Sequence, residues 1–203
     1  TDLVAMQEIL QEFGIKCQQF GSVLQVDCSS VSPARITRDL SQKVRASIFV
    51  LGAMLGRFET AVIAYPGGCN IGARPIDIHL NSFRKLGAKI IERHGYIYCD
   101  SRQMKSGTVV LDFPSVGATE SLMMCACMLS GKTVLKNVAK EPEVEDLQNF
   151  LNAMGAKVCG AGSDEIEIEG VKKLHGTKFA VMADRFVAGT YLLATAICGG
   201  EVV

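Results

Sequence analysis

Apolar residues recur along this chain of 203 residues in two alternating patterns, which together predict its architecture. The first pattern is an amphipathic helix that ends in Gly-x-Lys and is followed by two short strands. It occurs three times, and in each copy the glycine can adopt the left-handed backbone conformation that ends a helix. The helix ends are residues 10–16, 83–89 and 151–157, and the second strands are residues 24–26, 96–98 and 166–168.

The second pattern is a helix of almost entirely apolar and small residues. Such helices are predicted over residues 46–55, 118–129 and 188–197, and strands follow at 60–64, 133–135 and 201–203. Each of these helices is closed by a glycine, and the equivalent glycines Gly56, Gly131 and Gly199 are 75 and 68 residues apart. The two patterns therefore form one repeated unit, and the chain begins and ends within a copy of it.

Helices that are apolar on most faces must be buried between other layers. We therefore expect sheets on the outside and helices inside or between them. A Rossmann layout is disfavoured, because no Gly-x-Gly-x-x-Gly follows a predicted strand. Since the chain begins in an amphipathic run and stops in a strand-like run, we expect it to be part of a longer polypeptide.

The composition limits the partners and the compartment. Acidic and basic residues balance at 21 each, so no charge excess points to nucleic acid or to a charged membrane. No apolar run approaches the roughly 20 residues that span a bilayer. The eight cysteines include no Cys-x-x-Cys pair, which argues against a zinc site or a disulfide framework. We therefore expect a protein of a reducing compartment, the cytoplasm.

A glycine-rich loop between Pro66 and His79 carries the residues best suited to chemistry. Its sequence is Pro-Gly-Gly-Cys-Asn-Ile-Gly-Ala-Arg-Pro-Ile-Asp-Ile-His. The glycines let the backbone turn tightly and approach a ligand closely. Cys69 lies within the loop, and five residues later Arg74 supplies planar donors that suit a carboxylate or a phosphate. The pattern predicts an anionic substrate that is handled by a cysteine.

The same loop also fits a plain glycine-rich turn with an exposed cysteine, in which Arg74 is a solvated surface residue. Isolated cysteines are usually small buried hydrophobic residues. The other cysteines lie in strand-like or apolar helical runs, so we expect them to be buried packing residues. They are Cys17, Cys28, Cys99, Cys125, Cys127, Cys159 and Cys198.

Five segments together resemble the bacterial UDP-N-acetylglucosamine 1-carboxyvinyltransferases, a family of enolpyruvyl transferases. The Pro-Gly-Gly-Cys loop is the most specific of them, and Ser-Val-Gly-Ala-Thr is moderately specific. The match runs along the whole chain and covers about half of a family member. It implies an α/β fold, an inverse α/β barrel-like domain built from repeated βαβαββ units, which agrees with the repeats above. The segments are residues 43–47, 66–79, 115–119, 140–143 and 184–185.

The resemblance assigns the catalytic role to Cys69. The matching family cysteine acts as a general acid on the methylene group of phosphoenolpyruvate, can form a thioether adduct with it, and is alkylated by fosfomycin. Arg74 matches a residue that contacts the phosphate of phosphoenolpyruvate and the nucleotide. A neighbouring cation lowers the pKa of a thiol below its usual value of about 8.5, which suits this role. The resemblance implies no metal and no organic cofactor.

The other residues that the resemblance implicates contact the sugar nucleotide. The segment from Arg74 to His79 matches the part of the family that surrounds the uridine. The segment from Ser115 to Gly117 joins a predicted strand to a predicted helix, where free backbone N–H groups favour a diphosphate. The substrate-binding set is Arg45, Arg74, Pro75, Ile76, Asp77, Ile78, His79, Phe113, Pro114, Ser115, Val116 and Gly117.

Three of these residues also have simple structural explanations. Asp77 fits a charge favoured by a helix dipole, His79 fits a polar residue facing solvent, and Ser115 fits an N-cap. The sequence also departs from the family pattern at two places. Phe113 and Pro114 occupy two positions of which the first is a lysine in many family members, and Val187 occupies a position that is usually a glutamate. Contacts that need that lysine or that glutamate are therefore in question.

The resemblance also divides the chain. Residues 1–182 are expected to form most of the first domain, with the sugar-nucleotide site and the catalytic loop, and residues 183–203 to begin a second domain. The implied reaction transfers enolpyruvate from phosphoenolpyruvate to the 3-hydroxyl of UDP-N-acetylglucosamine, the first committed step of peptidoglycan precursor synthesis. Its partners are these two small molecules, with no nucleic acid or membrane, and the oligomeric state stays open. The family's Lys-Asn pair, aspartate base and later arginines match nothing here, so we expect the chain alone to be inactive.

Two other functions remain possible from the sequence. Another enolpyruvyl transferase, such as the shikimate-pathway enzyme, shares the fold but not the Pro-Gly-Gly-Cys loop. A non-catalytic UDP-sugar-binding or regulatory paralogue would keep the pocket, although binding alone needs no thiol. Activity with shikimate 3-phosphate would support the first.

Overall fold

The alternating pattern builds two four-stranded sheets and a separate hairpin in the computed structural model, which describes residues 2–67 and 75–202. The strands are β1 (Lys16–Phe20), β2 (Val23–Asp27), β3 (Arg35–Ile36), β4 (Thr60–Ala64), β5 (Lys89–Arg93), β6 (Tyr96–Asp100), β7 (Thr108–Val110), β8 (Lys132–Lys136), β9 (Lys157–Cys159) and β10 (Glu165–Glu169). The helices are α1 (Asp2–Glu12), α2 (Arg38–Lys43), α3 (Phe49–Arg57), α4 (Asp77–Lys85), α5 (Val116–Ala126), α6 (Pro142–Ala153) and α7 (Arg185–Cys198), and a 3-10 helix (Arg45–Ile48) leads into α3.

Each four-stranded sheet is one βαβαββ unit. In the first sheet, β3 pairs in parallel with β4, and β6 lies antiparallel between β4 and β5. In the second, β7 pairs in parallel with β8, and β10 lies antiparallel between β8 and β9. The hairpin of β1 and β2 follows α1 and repeats the last αββ part of the unit. The predicted repeat is confirmed, with two complete copies in the part of the chain that the structure describes.

Local sequence explains where the amphipathic helices stop. Gly14, Gly87 and Gly155 follow α1, α4 and α6 with φ angles of 75°, 99° and 95°. A residue with a side chain rarely adopts these angles, so glycine lets the chain turn out of the helix and into the next strand. The predicted glycine caps are therefore present at all three positions.

The core lies between the two sheets, where α3 and α5 pack against each other. A Cβ atom added to Gly52 of α3 would lie 2.2 Å from the backbone oxygen of Ser121 in α5, so the two backbones are in direct contact at this point. Most side chains of α5 are buried, including Leu122 and Met123. The small residues predicted in these helices therefore serve close helix packing.

The outer faces of the sheets carry polar and aromatic residues. On the second sheet, the amines of Lys132 and Lys136 form ion pairs with Glu167 and Glu165 on the neighbouring strand at 2.7 and 2.8 Å. On the first sheet, the guanidinium of Arg35 lies 3.7 Å from the centre of the Tyr96 ring. Sheets therefore lie outside and helices inside, as the pattern predicted.

The last predicted repeat differs from the expectation of a buried helix. In α7, all of which is described, no side chain is buried, and Leu193 and Ile197 are 67% and 83% exposed. Its first turn is held to α6 by an ion pair between Arg185 and Glu143 at 2.8 Å. Residues 201–202 also form no strand, since no neighbouring strand of the described residues pairs with them. Gly56 lies inside α3 rather than after it.

The expectation that seven cysteines are buried packing residues is only partly correct. Cys99, Cys125 and Cys127 are buried, and burial raises the pKa values of their thiols to about 12, 12 and 11. Cys28, Cys159 and Cys198 are exposed, and Cys17 is half-buried. The exposed cysteines lie at a sheet edge, after a hairpin or on α7, where no further layer covers them among the described residues.

Candidate functional site

The flanks of the predicted catalytic loop lie beside the start of α3. Cys69 and Arg74 themselves lie outside the described residues, as do Gly68 and Gly72. The described flanks are Gly67 on one side and Pro75 on the other. Their contacts, together with α4 and α5, build the candidate site.

Arg45 connects the start of α3 to the flank of the loop. It is half-buried in the 3-10 helix, and its Nη2 atom donates a hydrogen bond to the backbone oxygen of Pro75 at 3.2 Å. The planar guanidinium carries other N–H donors that point away from this oxygen. Arg45 therefore brings a permanent positive charge to the segment that the sequence associates with the sugar nucleotide.

The first turn of α4 places its residues in different surroundings. Ile76 is 4% exposed and its side chain belongs to the hydrophobic core, so only its backbone can contact a ligand. Asp77 is exposed at the first position of the helix, where a negative charge interacts favourably with the helix dipole. Pro75 is exposed and Ile78 is half-buried.

His79 is buried, and the expectation that it faces solvent is wrong. Its exposure is 6%, and within the described residues neither ring nitrogen has a hydrogen-bond partner. Burial lowers the pKa of His79 to about 4, the nearby Arg45 guanidinium adds to this shift, and Asp77 opposes it. The imidazole is therefore neutral near pH 7, with one N–H donor and one acceptor nitrogen.

The amino end of α5 meets His79. Ser115 is the N-cap, as the structural explanation proposed, because its Oγ atom accepts a hydrogen bond from the Ala118 N–H at 3.3 Å. A Cβ atom added to Gly117 would lie 2.8 Å from the Nε2 atom of His79. The first backbone N–H groups of a helix lack partners within the helix and carry a partial positive charge. The structure thus brings together the two predicted sugar-nucleotide segments, residues 75–79 and 115–117.

The remaining predicted residues lie at the approach to α5. Phe113 is 64% exposed, Pro114 is exposed, and Val116 is half-buried in the first helical turn. A shallow surface depression of about 500 Å³ is lined by Pro114 and by residues near the start of α6. A second depression, of about 540 Å³, runs along β9 and contains none of the predicted site residues that are described.

Three residues near the site were not identified from the sequence. Ser41 and Ser47 are completely buried and hydrogen-bonded to each other beside Gly67. Glu120 lies in α5, where burial and the carboxylates of Glu143 and Glu141 raise its pKa to about 7. The signal for Glu120 was a single acidic residue in an apolar helix, whereas two separate serines give no comparable signal.

Among the described residues, no group of three or more His, Cys, Asp or Glu side chains could hold a metal ion. In the same part of the chain, no helix is long and apolar enough to cross a membrane.

Comparison with known proteins identifies the class and the family. The enolpyruvyl transferase NikO from Streptomyces tendae has a similar structure, with a TM-score of 0.80 and 21% sequence identity over 94% of this chain and 46% of NikO. The fold is therefore of the enolpyruvyl transferase type, as predicted. The family model described as EPSP synthase (3-phosphoshikimate 1-carboxyvinyltransferase) matches residues 1–203, and the chain belongs to this family.

Curated relatives carry a more specific name. The chain is 49% identical over 201 residues to UDP-N-acetylglucosamine 1-carboxyvinyltransferase 2 of Caldanaerobacter subterraneus subsp. tengcongensis, covering 99% of this chain and 48% of the relative. It is 46% identical over 204 residues to the UDP-N-acetylglucosamine 1-carboxyvinyltransferase of Pseudoalteromonas atlantica, with the same coverage of 99% and 48%. The chain thus spans about half the length of the curated relatives it matches.

Proposed function

We propose that this chain is the sugar-nucleotide-binding half of a UDP-N-acetylglucosamine 1-carboxyvinyltransferase and carries its catalytic cysteine. The complete enzyme transfers enolpyruvate from phosphoenolpyruvate to the 3-hydroxyl of UDP-N-acetylglucosamine and releases phosphate. The observation that carries the proposal is the contact between His79 and Gly117, which joins the two segments assigned to the sugar nucleotide. The names of the relatives with 49% and 46% identity support the same substrate.

The described residues suit a diphosphate linked to a polar ring. The N–H groups at the start of α5, which have no partners within the helix, and the guanidinium of Arg45 favour negative charge. Beside them, His79 holds a neutral imidazole whose buried ring nitrogens have no hydrogen-bond partner among the described residues. A neutral donor and acceptor pair recognises polar sugar or uracil groups without adding a second buried charge. We assign the diphosphate to the start of α5 and the uridine to residues 74–79.

For catalysis, we assign the proton transfer to Cys69 and the anionic substrate to Arg74. The thiol donates a proton to the methylene carbon of phosphoenolpyruvate, while the 3-hydroxyl oxygen of the acceptor bonds to the neighbouring carbon. The hydroxyl proton passes to the departing phosphate, and one proton of the new methyl group returns to the thiolate as phosphate leaves, which restores the methylene and gives the enol ether. The cation of Arg74 favours the thiolate form of the cysteine and binds the phosphate that departs. The reaction needs no metal or organic cofactor.

We further propose that residues 1–182 belong to one domain and that α7 begins a second. The support is the contrast between α3 and α5, most of whose side chains are buried, and α7, none of whose side chains is buried. A helix that is apolar on most faces requires cover, and the relatives are about twice as long as this chain. In this proposal the full enzyme is cytoplasmic, serves peptidoglycan synthesis during growth and division, and is a fosfomycin target.

The deciding experiment measures phosphate release by the full-length protein that contains this chain. We expect turnover of phosphoenolpyruvate with UDP-N-acetylglucosamine and none with shikimate 3-phosphate. Cys69→Ala should abolish turnover, and the matched control Cys159→Ala, at an exposed cysteine along β9, should retain it. Turnover with shikimate 3-phosphate alone would indicate the shikimate-pathway alternative. Tight sugar-nucleotide binding without turnover would indicate a binding paralogue.

A further inference from the structure

A pair of buried serines lies beneath the flanks of the predicted loop. Ser41 is in α2, Ser47 is in the 3-10 helix, and both are 0% exposed. Their Oγ atoms are 3.2 Å apart, and the Ser47 hydroxyl also lies 3.1 Å from the backbone oxygen of Ser41, which can accept its hydrogen bond. The Ser41 hydroxyl donates to the backbone oxygen of Ala64 at 2.8 Å. The pair thus joins the end of β4 to the segment that starts α3.

The same short segment holds both described flanks of residues 68–74. On one side, the N–H of Gly67 donates to the backbone oxygen of Ser41 at 3.0 Å, and a Cβ atom at Gly67 would lie 2.4 Å from the Cα of Gln42. On the other side, Arg45 donates to the backbone oxygen of Pro75 at 3.2 Å. Residues 41–47 therefore form a common support segment for Gly67 and Pro75.

We infer that Ser41 and Ser47 are positioning residues for the reaction. Their buried hydroxyls fix the support segment, which is hydrogen-bonded to Gly67 on one side and to Pro75 on the other. This inference rests on the proposed function. In the sequence, Cys69 is two residues from Gly67 and Arg74 is adjacent to Pro75, so a shift of either flank changes where the segment that carries them begins or ends. Positional errors of about 1 Å in a reacting group can cost roughly a hundredfold in rate.

Alanine substitutions of the two serines should affect the support segment differently. Replacing Ser41 by alanine removes the donor to Ala64 and leaves that buried backbone oxygen without this partner. Replacing Ser47 by alanine removes only its bonds to Ser41, while the Gly67 N–H can still bond to the Ser41 oxygen. We therefore expect Ser47→Ala to be the milder variant. It keeps the inference testable if Ser41→Ala does not fold.

The test compares Ser41→Ala, Ser47→Ala and Ser101→Ala in the full-length protein. Ser101 is the matched control, because its partly buried hydroxyl donates to the backbone oxygen of Leu55 at 3.1 Å, at the opposite end of α3 from the 3-10 helix. We expect kcat to fall about tenfold or more in the Ser41 variant and less in the Ser47 variant, with KM for UDP-N-acetylglucosamine unchanged. Ser101→Ala should lower only the free energy of unfolding.

A second readout does not depend on the reaction. The rate at which iodoacetamide alkylates Cys69, followed by mass spectrometry, should fall in Ser41→Ala, while the exposed Cys28 and Cys159 keep their rates. If kcat and the Cys69 rate are unchanged in both serine variants, or fall as much in Ser101→Ala, the inference is overturned. If Cys69→Ala retains full turnover, the proposed function fails instead, and the alkylation rates still decide the role of the serines.

Discussion

The imidazole of His79 packs against the backbone of Gly117, with its Nε2 atom 2.8 Å from the position that a Cβ atom at Gly117 would occupy. This contact joins α4 to the first turn of α5, two elements that are far apart in sequence. Both segments were assigned to the sugar nucleotide from the sequence alone. Because glycine has no side chain, the buried imidazole can pack directly against the first turn of α5.

Adding a methyl group at Gly117 should therefore weaken sugar-nucleotide binding. The new Cβ atom of Gly117→Ala would lie 2.8 Å from the Nε2 atom of His79, so the imidazole must move away from the helix. We expect a fall in stability of about 1–3 kcal/mol and a weaker calorimetric affinity for UDP-N-acetylglucosamine. Gly107→Ala is the control, because it has open space around the added atom. Equal affinities in the two variants would contradict the assigned role of this contact.

His79 should make stability depend on pH in mildly acidic solution. Its pKa is about 4 in the folded protein and about 6.5 when unfolded, so the unfolded chain binds the proton first. The contribution to stability is fully present above pH 6.5 and is lost as the pH falls toward 4, on the order of 3 kcal/mol in total. Urea unfolding between pH 4 and 7 should show this slope.

The matched variants for this titration are His79→Asn and His94→Asn. The first removes the buried imidazole, so the free energy of unfolding should depend less on pH across this range. His94 is exposed in the turn between β5 and β6 with a φ angle of 52°, a conformation that asparagine tolerates. His94→Asn should keep the wild-type slope, and a reduced slope in this variant would argue against His79 as the source.

Fosfomycin should modify one cysteine of the full-length protein. We expect the adduct on Cys69, because an anionic epoxide is steered to a cationic site. Iodoacetamide should also label the exposed Cys28 and Cys159, whereas Cys99 and Cys125 should stay unlabelled because they are buried and their thiol pKa values are raised to about 12. Peptide mass spectrometry distinguishes these patterns, and a fosfomycin adduct on any other cysteine would refute the assignment.

Replacing Cys69 by aspartate tests the chemistry of the same residue. Cys69→Asp keeps a proton donor and removes the sulfur nucleophile. We expect measurable phosphate release that fosfomycin no longer inhibits. Activity that stays sensitive to the drug would show that fosfomycin acts at another group.

Truncating an apolar side chain of α7 tests the proposed second domain. Leu193 is 67% exposed here, so Leu193→Ala should scarcely change the stability of the 203-residue chain. In the full-length protein, where we propose that α7 is covered, the same change should cost about 2–5 kcal/mol. Leu122→Ala in α5, at 0% exposure, should cost this much in both proteins. Similar small losses for Leu193→Ala in both would contradict the domain assignment.

The sequence by itself determined the elements and their repetition. Gly14, Gly87 and Gly155 mark helix ends because residues with a side chain rarely adopt the left-handed φ angles found there. The alternation around Ile166 and Ile168 predicted a strand with one buried face, which the structure has. The glycine-rich loop with Cys69 and Arg74 predicted an anionic substrate handled by a cysteine, and the family comparison agrees with the resemblance.

Only the tertiary structure decided which of these elements are covered and which residues meet. Burial depends on neighbours distant in sequence, so the pattern could not show that His79 lies under α5 or that Ser41 and Ser47 bond beside Gly67. For the same reason, apolar helix α7 and three cysteines in apolar or strand-like runs are exposed although their local sequence predicted burial. Local sequence sets backbone preference, whereas burial, the pKa of His79 and hydrogen-bond partners arise from packing between segments.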